Sequence, residues 1–291
     1  MIYICIPVHN NVSFTLSCLG SLETQTHREH QTILCDDGST DGTWKRVNEE
    51  YPKTWLIKGN GSLWWTGGTN ACVKRALEVA QKGDFVFTLN NDTELLPTTL
   101  GRLCETSGQN SRSIVGAVNV FYKEPNLIEP SAYRIKGGLF FPRIHNRINE
   151  WAEELNTDSG VTEVDSLSGK GALIPIELFQ ELGLYNAERL PHYHADTELV
   201  FRAKRNGYRV YLDYKAKVLS HQEHSGLGTV TSNPSFKGFV KSFSSQKSAN
   251  HYQSLKNYCE LLYGKSYKSY LAIYLAKIVL GFVKRYLVVR S

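Results

Sequence analysis

The chain of 291 residues is long enough to bury one large core, and its apolar and charged fractions, 41% and 21%, are those of an ordinary globular protein. The net charge is +5, but residues 237–291 carry +9, so the first 236 residues carry −4. The basic character is confined to the tail, which argues against a general affinity of the main part of the chain for nucleic acid.

The N-terminus and the cysteine pattern favour an intracellular protein. The first residues, MIYICIPVHNN, contain no basic segment followed by a long apolar one, so we predict no signal peptide. None of the six cysteines belongs to a C-x-x-C pair, and no metal-type spacing is present. We therefore expect reduced, buried thiols, a cytoplasmic location and no zinc site.

The first third of the chain alternates between predicted strands and helices. Short apolar runs predict strands in IYICIPV, QTILCDD, TWLIKG and DFVFTL. Helices are predicted up to about Gln25, in TWKRVNEEY and in TNACVKRALEVAQKG, which ends at a glycine. This alternation indicates βαβ units and a mainly parallel sheet.

Polar clusters follow three of these strands, in HNN, CDDGSTDGT and NNDTE. Asn and Asp favour turns at strand ends because their side chains bond nearby backbone, so a simple loop is one interpretation. Ligands of parallel α/β sheets bind beyond the carboxyl ends of the strands, which is where all three clusters fall. Their coincidence favours a binding site.

The second half of the chain continues the alternation with longer connections. SIVGAVNVFY predicts a strand, RIKGGLFFPRI part of a hairpin, and residues 146–162 a polar loop. GALIPIELFQELGLYN predicts a strand that leads into a helix started by proline. HADTELVFRAKRNGYRVYLD predicts a helix closed by Gly207 and then a further strand.

Six segments occur in a recognisable order over roughly residues 2–221: IPVHNN, DDGSTDGT, GNGSLWWTGGTNACVKRALE, LNNDTELLP, GKGALIPIELFQELG and HADTELVFRAKRNGYRV. Together they resemble family 2 glycosyltransferases of the GT-A fold, especially bacterial rhamnosyltransferases. The resemblance implies an α/β fold with a mainly parallel, Rossmann-like sheet and flanking helices. We expect a catalytic domain over 1–230, with a nucleotide-binding half of about 1–122 and an acceptor half of about 123–230. A basic helical extension over 231–291 would follow.

The acidic pair after the second strand matches the family's position for binding the nucleotide. Asp36 and Asp37 would accept hydrogen bonds from a base N–H and from ribose hydroxyls. Helix capping is the structural alternative, because Ser39, Thr40 and Asp41 are favourable N-cap residues. Both interpretations hold together if Thr40 or Asp41 caps the helix.

The NND segment occupies the position of the family's acidic metal-binding motif, D-x-D. Asp92 would be the one strong protein ligand of Mg²⁺ or Mn²⁺, while Asn90 replaces the usual first acid. We therefore expect Asn90 and Asn91 to contact the donor, and metal binding to be weak without it. The resemblance also assigns a metal-binding histidine to His221, for which His224 is the alternative.

The family's catalytic base matches Asp196 in HADTEL. It would take the proton of the acceptor hydroxyl in a direct displacement that inverts the anomeric configuration. Helix capping is again the alternative, because an aspartate in this position also stabilises a helix start. Ala195 stands where relatives often have a second acid, and Glu198 is expected to support the site.

Further contacts with the donor follow from the same resemblance. The residues expected there are Pro7, His9, Gly68, Asn70 and Lys170. An exposed loop lysine is the alternative for Lys170. The tryptophans Trp64 and Trp65 would either pack against the donor or form a hydrophobic plug.

The C-terminal residues predict an amphipathic, basic helix. One stripe consists of Tyr263, Tyr267, Tyr270 and Tyr274. An apolar face beside it consists of Leu271, Leu275, Ile278, Val279, Phe282 and Tyr286. The basic residues after Glu260 are Lys265, Lys268, Lys277, Lys284, Arg285 and Arg290. The apolar span is too short to cross a bilayer, so the helix either lies on a membrane surface or packs on the catalytic domain or a second subunit.

Together these features predict a metal-dependent inverting glycosyltransferase at the inner face of the cell membrane. It would move a sugar from dTDP-rhamnose, or from a UDP-sugar, to a glycan acceptor linked to undecaprenyl, in surface polysaccharide synthesis. A homodimer is compatible with the tail, and no nucleic acid is expected as a partner.

Two other functions are compatible with parts of this pattern. A sugar-nucleotide nucleotidyltransferase would need a glycine-rich basic loop after the first strand, which PVHNNVS lacks. A non-catalytic glycan-binding or assembly protein on the same fold is favoured by Asn90 and Ala195. The retained Asp92 and Asp196 argue against it.

Overall fold

The computed structural model describes residues 1–125, 128–129, 132–133, 160–221 and 235–288. The strands are β1 (Ile2–Val8), β2 (His30–Asp36), β3 (Trp55–Lys58), β4 (Phe85–Thr88), β5 (Thr93–Leu95), β6 (Ser113–Phe121), β7 (Ala132–Tyr133), β8 (Val161–Glu163), β9 (Ser166–Leu167), β10 (Ala172–Pro175) and β11 (Arg209–Ser220). The helices are α1 (Val12–Glu23), α2 (Thr43–Glu50), α3 (Trp64–Leu77), α4 (Thr99–Gln109), α5 (Ile176–Leu182), α6 (Ala195–Arg205), α7 (Phe236–Ser242), α8 (Tyr252–Tyr263) and α9 (Tyr267–Val288).

Nine of the described strands form one mixed sheet in the order β3-β2-β1-β4-β10-β6-β11-β5, with β8 paired to β11. Strands β1 to β4 pair in parallel, and β6 pairs in parallel with β11. Strand β10 runs antiparallel to both β4 and β6, so β6 and β11 point the same way as β1. Six of the nine strands therefore share one direction, which confirms the predicted mainly parallel sheet.

Helices cover both faces of the sheet. The side chains of β1 alternate between the two faces and are buried on each. Ile2, Ile4 and Ile6 belong to one buried cluster, together with residues of α1, α2 and α4. Tyr3 and Cys5 belong to the other, together with residues of α3, α5, α6 and α8. Because successive side chains of a strand point to opposite faces, a continuous apolar strand serves both cores at once.

Most predicted elements of the first half are present. The helix predicted in HADTELVFRAKRNGYRV is α6, which ends at Arg205, two residues before Gly207 with its φ of 83°. The hairpin predicted in RIKGGLFFPRI lies outside the described residues, as does most of the loop predicted at 146–162. The end of that loop differs from the expectation, because residues from Val161 onward pair with β11 as strand β8. The six cysteines are free thiols, and all except Cys104 are buried.

The C-terminal helices α8 and α9 pack against the sheet rather than apart from it. Leu255, Tyr258 and Leu262 of α8 are buried in the same cluster as residues of β10 and α6. The predicted tyrosine stripe is divided between two helices, because Tyr263 ends α8 whereas Tyr267, Tyr270 and Tyr274 lie in α9. All four pack against this cluster, and the Tyr270 ring stacks on Tyr263 with centroids 3.6 Å apart. The stripe is therefore a packing face.

The opposite side of α9 is exposed and apolar. Its solvent-facing residues Val279, Leu280, Val283 and Leu287 form what we call the outer face. Leu280 is 67% exposed, whereas Leu271 and Phe282 on the inner side are each 7% exposed. Among the described residues no helix is both long enough and apolar enough to span a membrane.

Gly68 allows α3 to pack closely on β1. A Cβ at this position would lie 2.9 Å from Cβ of Pro7, which is part of a rigid ring. A helix bearing a larger residue here would have to move away from the sheet, because close-packed interiors do not absorb an extra methyl group at this distance.

We expect Gly68→Ala to lower the free energy of unfolding by roughly 1–3 kcal/mol, because it overpacks the α3–β1 contact. The matched control is Gly108→Ala in α4, where an added Cβ meets no atom within 4 Å. That change should be neutral or stabilise by up to about 1 kcal/mol, since alanine loses less backbone freedom. Urea unfolding of both variants measures the difference. Equal stability of the two would contradict the packing role of Gly68.

Candidate active site

The polar segments singled out in the sequence meet at one edge of the sheet. Strands β1, β2, β4 and β11 end there at Val8, Asp36, Thr88 and Ser220. Strand β10 runs the other way, so its start and the preceding loop 168–171 reach the same edge. This edge is the position at which parallel α/β sheets bind ligands.

Asp37 holds the loop that precedes α3. Its Oδ1 accepts a hydrogen bond from the amide of Gly61 at 2.7 Å. Its Oδ2 accepts from the amides of Leu63 at 2.8 Å and Trp64 at 3.1 Å. Trp64 has φ 57°, a conformation that costs free energy for a bulky residue. The three bonds to the buried carboxylate offset this cost and fix where α3 begins.

Asp36 and His9 lie beside this loop. Oδ1 of Asp36 accepts from the amide of Ser39 at 2.9 Å. Nδ1 of His9 lies 2.7 Å from the carbonyl oxygen of Asp37, and because a carbonyl can only accept, Nδ1 is the donor. The predicted N-cap at Thr40 or Asp41 is wrong, because the N-cap position of α2 is Gly42 and no side chain caps the helix there. Oδ1 of Asp41 still accepts from the amide of Thr43, the first residue of α2, at 3.1 Å.

Three consecutive polar residues follow β4, and each faces a different partner. Oδ1 of Asn90 accepts from Nε1 of Trp65 at 2.9 Å. Nδ2 of Asn91 donates to Oγ1 of Thr15 at 3.0 Å. Oδ1 of Asp92 is buried and has no hydrogen-bond partner within the described parts of the chain. A buried carboxylate oxygen without a donor is costly in a folded protein unless a cation or ligand meets it.

His221 lies next to Asp92. Its backbone amide donates to the Asp92 carbonyl at 3.0 Å, and its Nε2 lies 3.0 Å from Oε1 of Glu94. The ring stacks on Tyr122 with centroids 4.3 Å apart. Since Glu94 accepts from Nε2, the nitrogen that a neutral ring offers to a cation is Nδ1. The alternative ligand, His224, lies outside the described residues.

The ligand set at this edge is sparse. Within the described ranges, no group of three or more His, Cys, Asp or Glu side chains is arranged to hold a metal ion. The residues present nevertheless fit a divalent cation whose remaining ligands come from a diphosphate, because Mg²⁺ and Mn²⁺ sites of this type need few protein carboxylates. The orphaned Oδ1 of Asp92 is the observation that favours such a cation.

Asp196 lies in the first turn of α6, with its carboxylate aimed at the loop before β10. Its Oδ2 accepts from the amide of Gly169 at 2.8 Å, and its Oδ1 accepts from the amide of Thr197 at 2.7 Å. A Cβ on Gly169 would lie 2.4 Å from the ring of Trp65 and 3.3 Å from Cβ of Asp196. Only glycine lets this loop pass between the two side chains.

These contacts join the part of the candidate site around Asp92 to the part around Asp196. Asn90 binds the Trp65 indole, the indole packs on Gly169, and Gly169 donates to Asp196. Trp65 also meets the buried ring of Tyr185 edge-on, with centroids 5.5 Å apart. Trp65 is therefore a wall between the two carboxylates rather than a remote hydrophobic plug.

Several tyrosines surround Asp196. Burial, followed by the nearby Asp196 carboxylate, raises the pKa of Tyr133 and of Tyr185. Burial raises the pKa of Tyr258 too, with smaller contributions from Tyr274, Tyr263 and Asp196. These phenols stay protonated at neutral pH and are potential hydrogen-bond donors around the carboxylate.

Three of the residues expected to contact the donor also make packing contacts within the protein. Asn70 is buried, donates to the carbonyl of Tyr185 at 2.8 Å and accepts from its amide at 3.1 Å. Gly68 and Pro7 form the close contact between α3 and β1. We therefore assign Asn70 and Gly68 to the packing of α3, which orients Trp65.

Lys170 is neither an exposed loop lysine nor directed at an open pocket. Its ammonium group donates to both carboxylate oxygens of Glu129, at 2.9 and 2.8 Å, and to Oγ of Ser220 at 2.9 Å. Both side chains of the ion pair are 12% exposed. An ammonium has three donors, and all three are used here. Lys170 thus ties the loop before β10 to the end of β11.

Comparison with known proteins identifies the class. Residues 3–183 match the model of the family described as Glycosyl transferase family 2, so the chain belongs to this family. The fold agrees: a solved structure of GalNAc-T7 with UDP, GalNAc and Mn²⁺ superposes with a TM-score of 0.66 at 15% identity, which confirms the expected GT-A fold. The match covers 93% of this chain but only 49% of that one, so the chain spans about half its length.

Two curated bacterial relatives are similar over most of the chain. One is the N-acetylglucosaminyl-diphospho-decaprenol L-rhamnosyltransferase of Mycobacterium tuberculosis, 27% identical over 227 residues, which are 71% of each chain. The other is the GalNAc(5)-diNAcBac-PP-undecaprenol beta-1,3-glucosyltransferase of Campylobacter jejuni, 23% identical, with 75% of this chain and 74% of that protein covered. The chain is therefore a rhamnosyltransferase-like member of family 2.

Sequence reasoning missed two residues that shape this site. One is Gly169, whose position directly before a lysine and a second glycine indicates a tightly packed loop. His194, two residues before Asp196, has φ 73°, which no local pattern signalled.

Proposed function

We propose that this protein is an inverting, metal-dependent glycosyltransferase that moves a deoxyhexose from a nucleotide-diphosphate donor to a lipid-linked glycan. The proposal rests on one observation: two carboxylates lie at the same edge of the sheet, on either side of Trp65. Asp92 offers an unpartnered oxygen, and Asp196 is held by the amide of Gly169. These are the two groups that a metal-assisted displacement requires.

Asp92 is the residue proposed to hold the cation, with Nδ1 of His221 as a second ligand. A divalent cation bound there would act as a Lewis acid that neutralises the charge developing on the diphosphate. Asn90 and Asn91 keep the backbone of this turn in position through their bonds to Trp65 and Thr15. Asp36 and the loop held by Asp37 are proposed to bind the nucleoside.

Asp196 is proposed as the general base. The acceptor hydroxyl attacks the anomeric carbon, the bond from that carbon to the diphosphate oxygen breaks, and the hydroxyl proton passes to the carboxylate. One carboxylate suffices for this single displacement, so the absence of an acid at Ala195 is no obstacle.

The donor and acceptor classes rest on similarity. The mycobacterial relative is named a rhamnosyltransferase, which supports dTDP-rhamnose ahead of UDP-sugars. Both curated relatives are named for acceptors on polyprenyl diphosphates, which supports a lipid-linked acceptor here. Such an acceptor resides in a membrane, so the enzyme has to work at its surface.

We propose the outer face of α9 as the contact with that surface. Leu280 and Leu287 are 67% and 62% exposed, and the exposed Lys277 and Lys284 lie beside them. Helix α7 packs next to this face through Phe239, which stacks on Phe282 with centroids 4.1 Å apart. Apolar residues flanked by lysines are typical of helices that lie in the interface of anionic membranes.

For the metal, we expect Asp92→Asn to abolish most of the Mn²⁺-dependent increase in UDP or dTDP affinity, because the remaining ligands are neutral. Calorimetry with and without Mn²⁺ measures this. The control is Asp84→Asn, which removes a carboxylate at the opposite end of β4 and should leave nucleotide binding unchanged. A Mn²⁺ effect that persists in Asp92→Asn would contradict the assignment.

For the base, we expect Asp196→Asn to lower kcat for transfer by about 10²–10⁴ while donor affinity stays the same, because the amide oxygen can still accept one of the two backbone bonds but the group cannot take a proton. Asp165→Asn, on the neighbouring segment, is the matched control. Transfer assays with radiolabelled donor and calorimetry measure the two effects. Near-normal transfer by Asp196→Asn would exclude this residue as the base.

For the membrane contact, we expect the pair Lys277→Gln and Lys284→Gln to weaken binding to anionic vesicles by roughly 2 kcal/mol, about 30-fold, because each lysine contributes about 1 kcal/mol near the surface. The double change Leu280→Gln and Leu287→Gln should also weaken vesicle binding. Its effect should be seen at high salt too, where the attraction of the lysines to anionic lipid is screened. Cosedimentation measures both, with Val79→Gln, another exposed apolar residue, as the control. No vesicle binding by the unchanged protein would contradict the proposal.

A further inference from the structure

The residue two positions before Asp196 is held in a strained conformation. His194 has φ 73°, in the left-handed region, and it is the last residue before α6 begins. A histidine in this region costs on the order of 1 kcal/mol and persists only where its surroundings fix it. The backbone direction of His194 sets the direction in which α6 starts, and hence where the Asp196 carboxylate points.

The group that fixes His194 comes from the C-terminal helices. Its Nε2 lies 3.0 Å from the carbonyl oxygen of Ala249, in the turn before α8, and therefore donates to it. Its ring stacks on Tyr258 of α8, with centroids 4.9 Å apart and an interplanar angle of 29°. Burial lowers the pKa of His194, against smaller opposing effects of Ala249 and Asp196, so the ring is neutral at pH 7.

Helix α8 is itself anchored to the segment that leads to His194. Nδ2 of Asn257 donates to the carbonyl of Arg189 at 2.8 Å, and the Arg189 guanidinium pairs with Glu260. Tyr258 is 4% exposed and meets Tyr274 of α9 edge-on. The ring against which His194 stacks is therefore a fixed surface.

The other side of the same segment is bound to α3. Oγ1 of Thr66 donates to the carbonyl of Leu190 at 2.6 Å, and its amide donates to that of Pro191 at 3.0 Å. Thr66 follows Trp65 directly. Residues 190–194 are thus held between the helix that carries the tryptophan wall and the helix that carries Tyr258.

We propose that His194 and Tyr258 are positioning residues of the transfer reaction, through which the C-terminal helix α8 sets the orientation of Asp196. This inference rests on the proposed role of Asp196 as the base. Neither side chain needs to touch the substrates, since both act through the backbone at the start of α6. A misplacement of a catalytic group by about 1 Å costs on the order of 10²-fold in rate, which defines the effect to look for.

The test compares variants that separate the ring contacts from the backbone conformation. His194→Gly allows the left-handed conformation but removes the bond and the stack, and Tyr258→Leu removes the stack alone. We expect each to lower kcat by about 10- to 100-fold at a temperature where the protein is folded, with donor affinity unchanged. Tyr258→Phe keeps the stack and should retain near-normal kcat.

The matched control is Arg205→Ala. Arg205 binds the carbonyl of Leu262, so it joins α6 to α8 as His194 does, but at the far end of α6 from Asp196. We expect this variant to lose thermal stability while keeping kcat when folded. If His194→Gly and Arg205→Ala lose stability and activity in the same proportion, the contact is only structural and the inference is overturned.

The outcome for Asp196→Asn separates this inference from the proposed function. If that variant is inactive but His194→Gly and Tyr258→Leu transfer sugar at the normal rate, Asp196 is the base and the positioning role is wrong. If Asp196→Asn transfers normally, the proposed base is wrong and the positioning role is overturned with it.

Discussion

The loop before β10 passes through a gap that only a glycine fits, and the active-site geometry depends on this constraint. Gly169 lies between the Trp65 indole and the Asp196 side chain, and its amide binds the carboxylate. The indole is bound in turn by Asn90, which is two residues from Asp92. This series of contacts thus links the carboxylates of Asp92 and Asp196, which lie 104 residues apart in the chain. A shift of this loop would move Asp196, the proposed base, relative to Asp92, the proposed metal ligand.

Buried polar groups stabilise the elements around this gap. The Asp37 carboxylate accepts hydrogen bonds from three amides of the loop before α3. The Lys170 ammonium donates all three of its hydrogen bonds, two to Glu129 and one to Ser220. Breaking a buried pair leaves an uncompensated charge, so such pairs define one arrangement strongly even where they add little net stability. Asp92 differs from Asp37 and Lys170, because one of its oxygens is buried and has no partner among the described residues. That imbalance is expected of a ligand-binding group.

Local patterns in the sequence predict the sheet, the helices and the edge at which function resides. Alternating strands and helices identify the parallel sheet, and NNDTE after β4 marks its binding edge. The roles of Asn70 and Lys170 were not predictable in this way. Their partners, Tyr185 and Glu129, are distant in sequence. The spacing of residues along a chain does not predict which polar groups meet across a core. The left-handed conformation of His194 could not be predicted for the same reason, because it depends on contacts with the distant helix α8.

Helix α9 in the tail of the chain has two faces of different character. Tyrosines on its inner side pack on α8, whereas its outer face presents leucines beside lysines to solvent. Of the two interpretations open from the sequence, packing therefore applies to the inner face of α9, and membrane contact is proposed for its outer face. Because α8 also contacts His194, the tail links a surface proposed to meet the membrane with the carboxylate proposed to receive the acceptor proton.

The most direct test is a crystal structure with Mn²⁺ and a non-transferable dTDP-rhamnose analogue, in which anomalous scattering locates the metal. Our account predicts that the metal contacts Asp92 and the diphosphate, and that the sugar lies against Trp65 with its open face towards Asp196. A metal bound away from Asp92 would contradict this account. So would a sugar that turns its diphosphate towards Asp196, rather than the opposite face of the anomeric carbon.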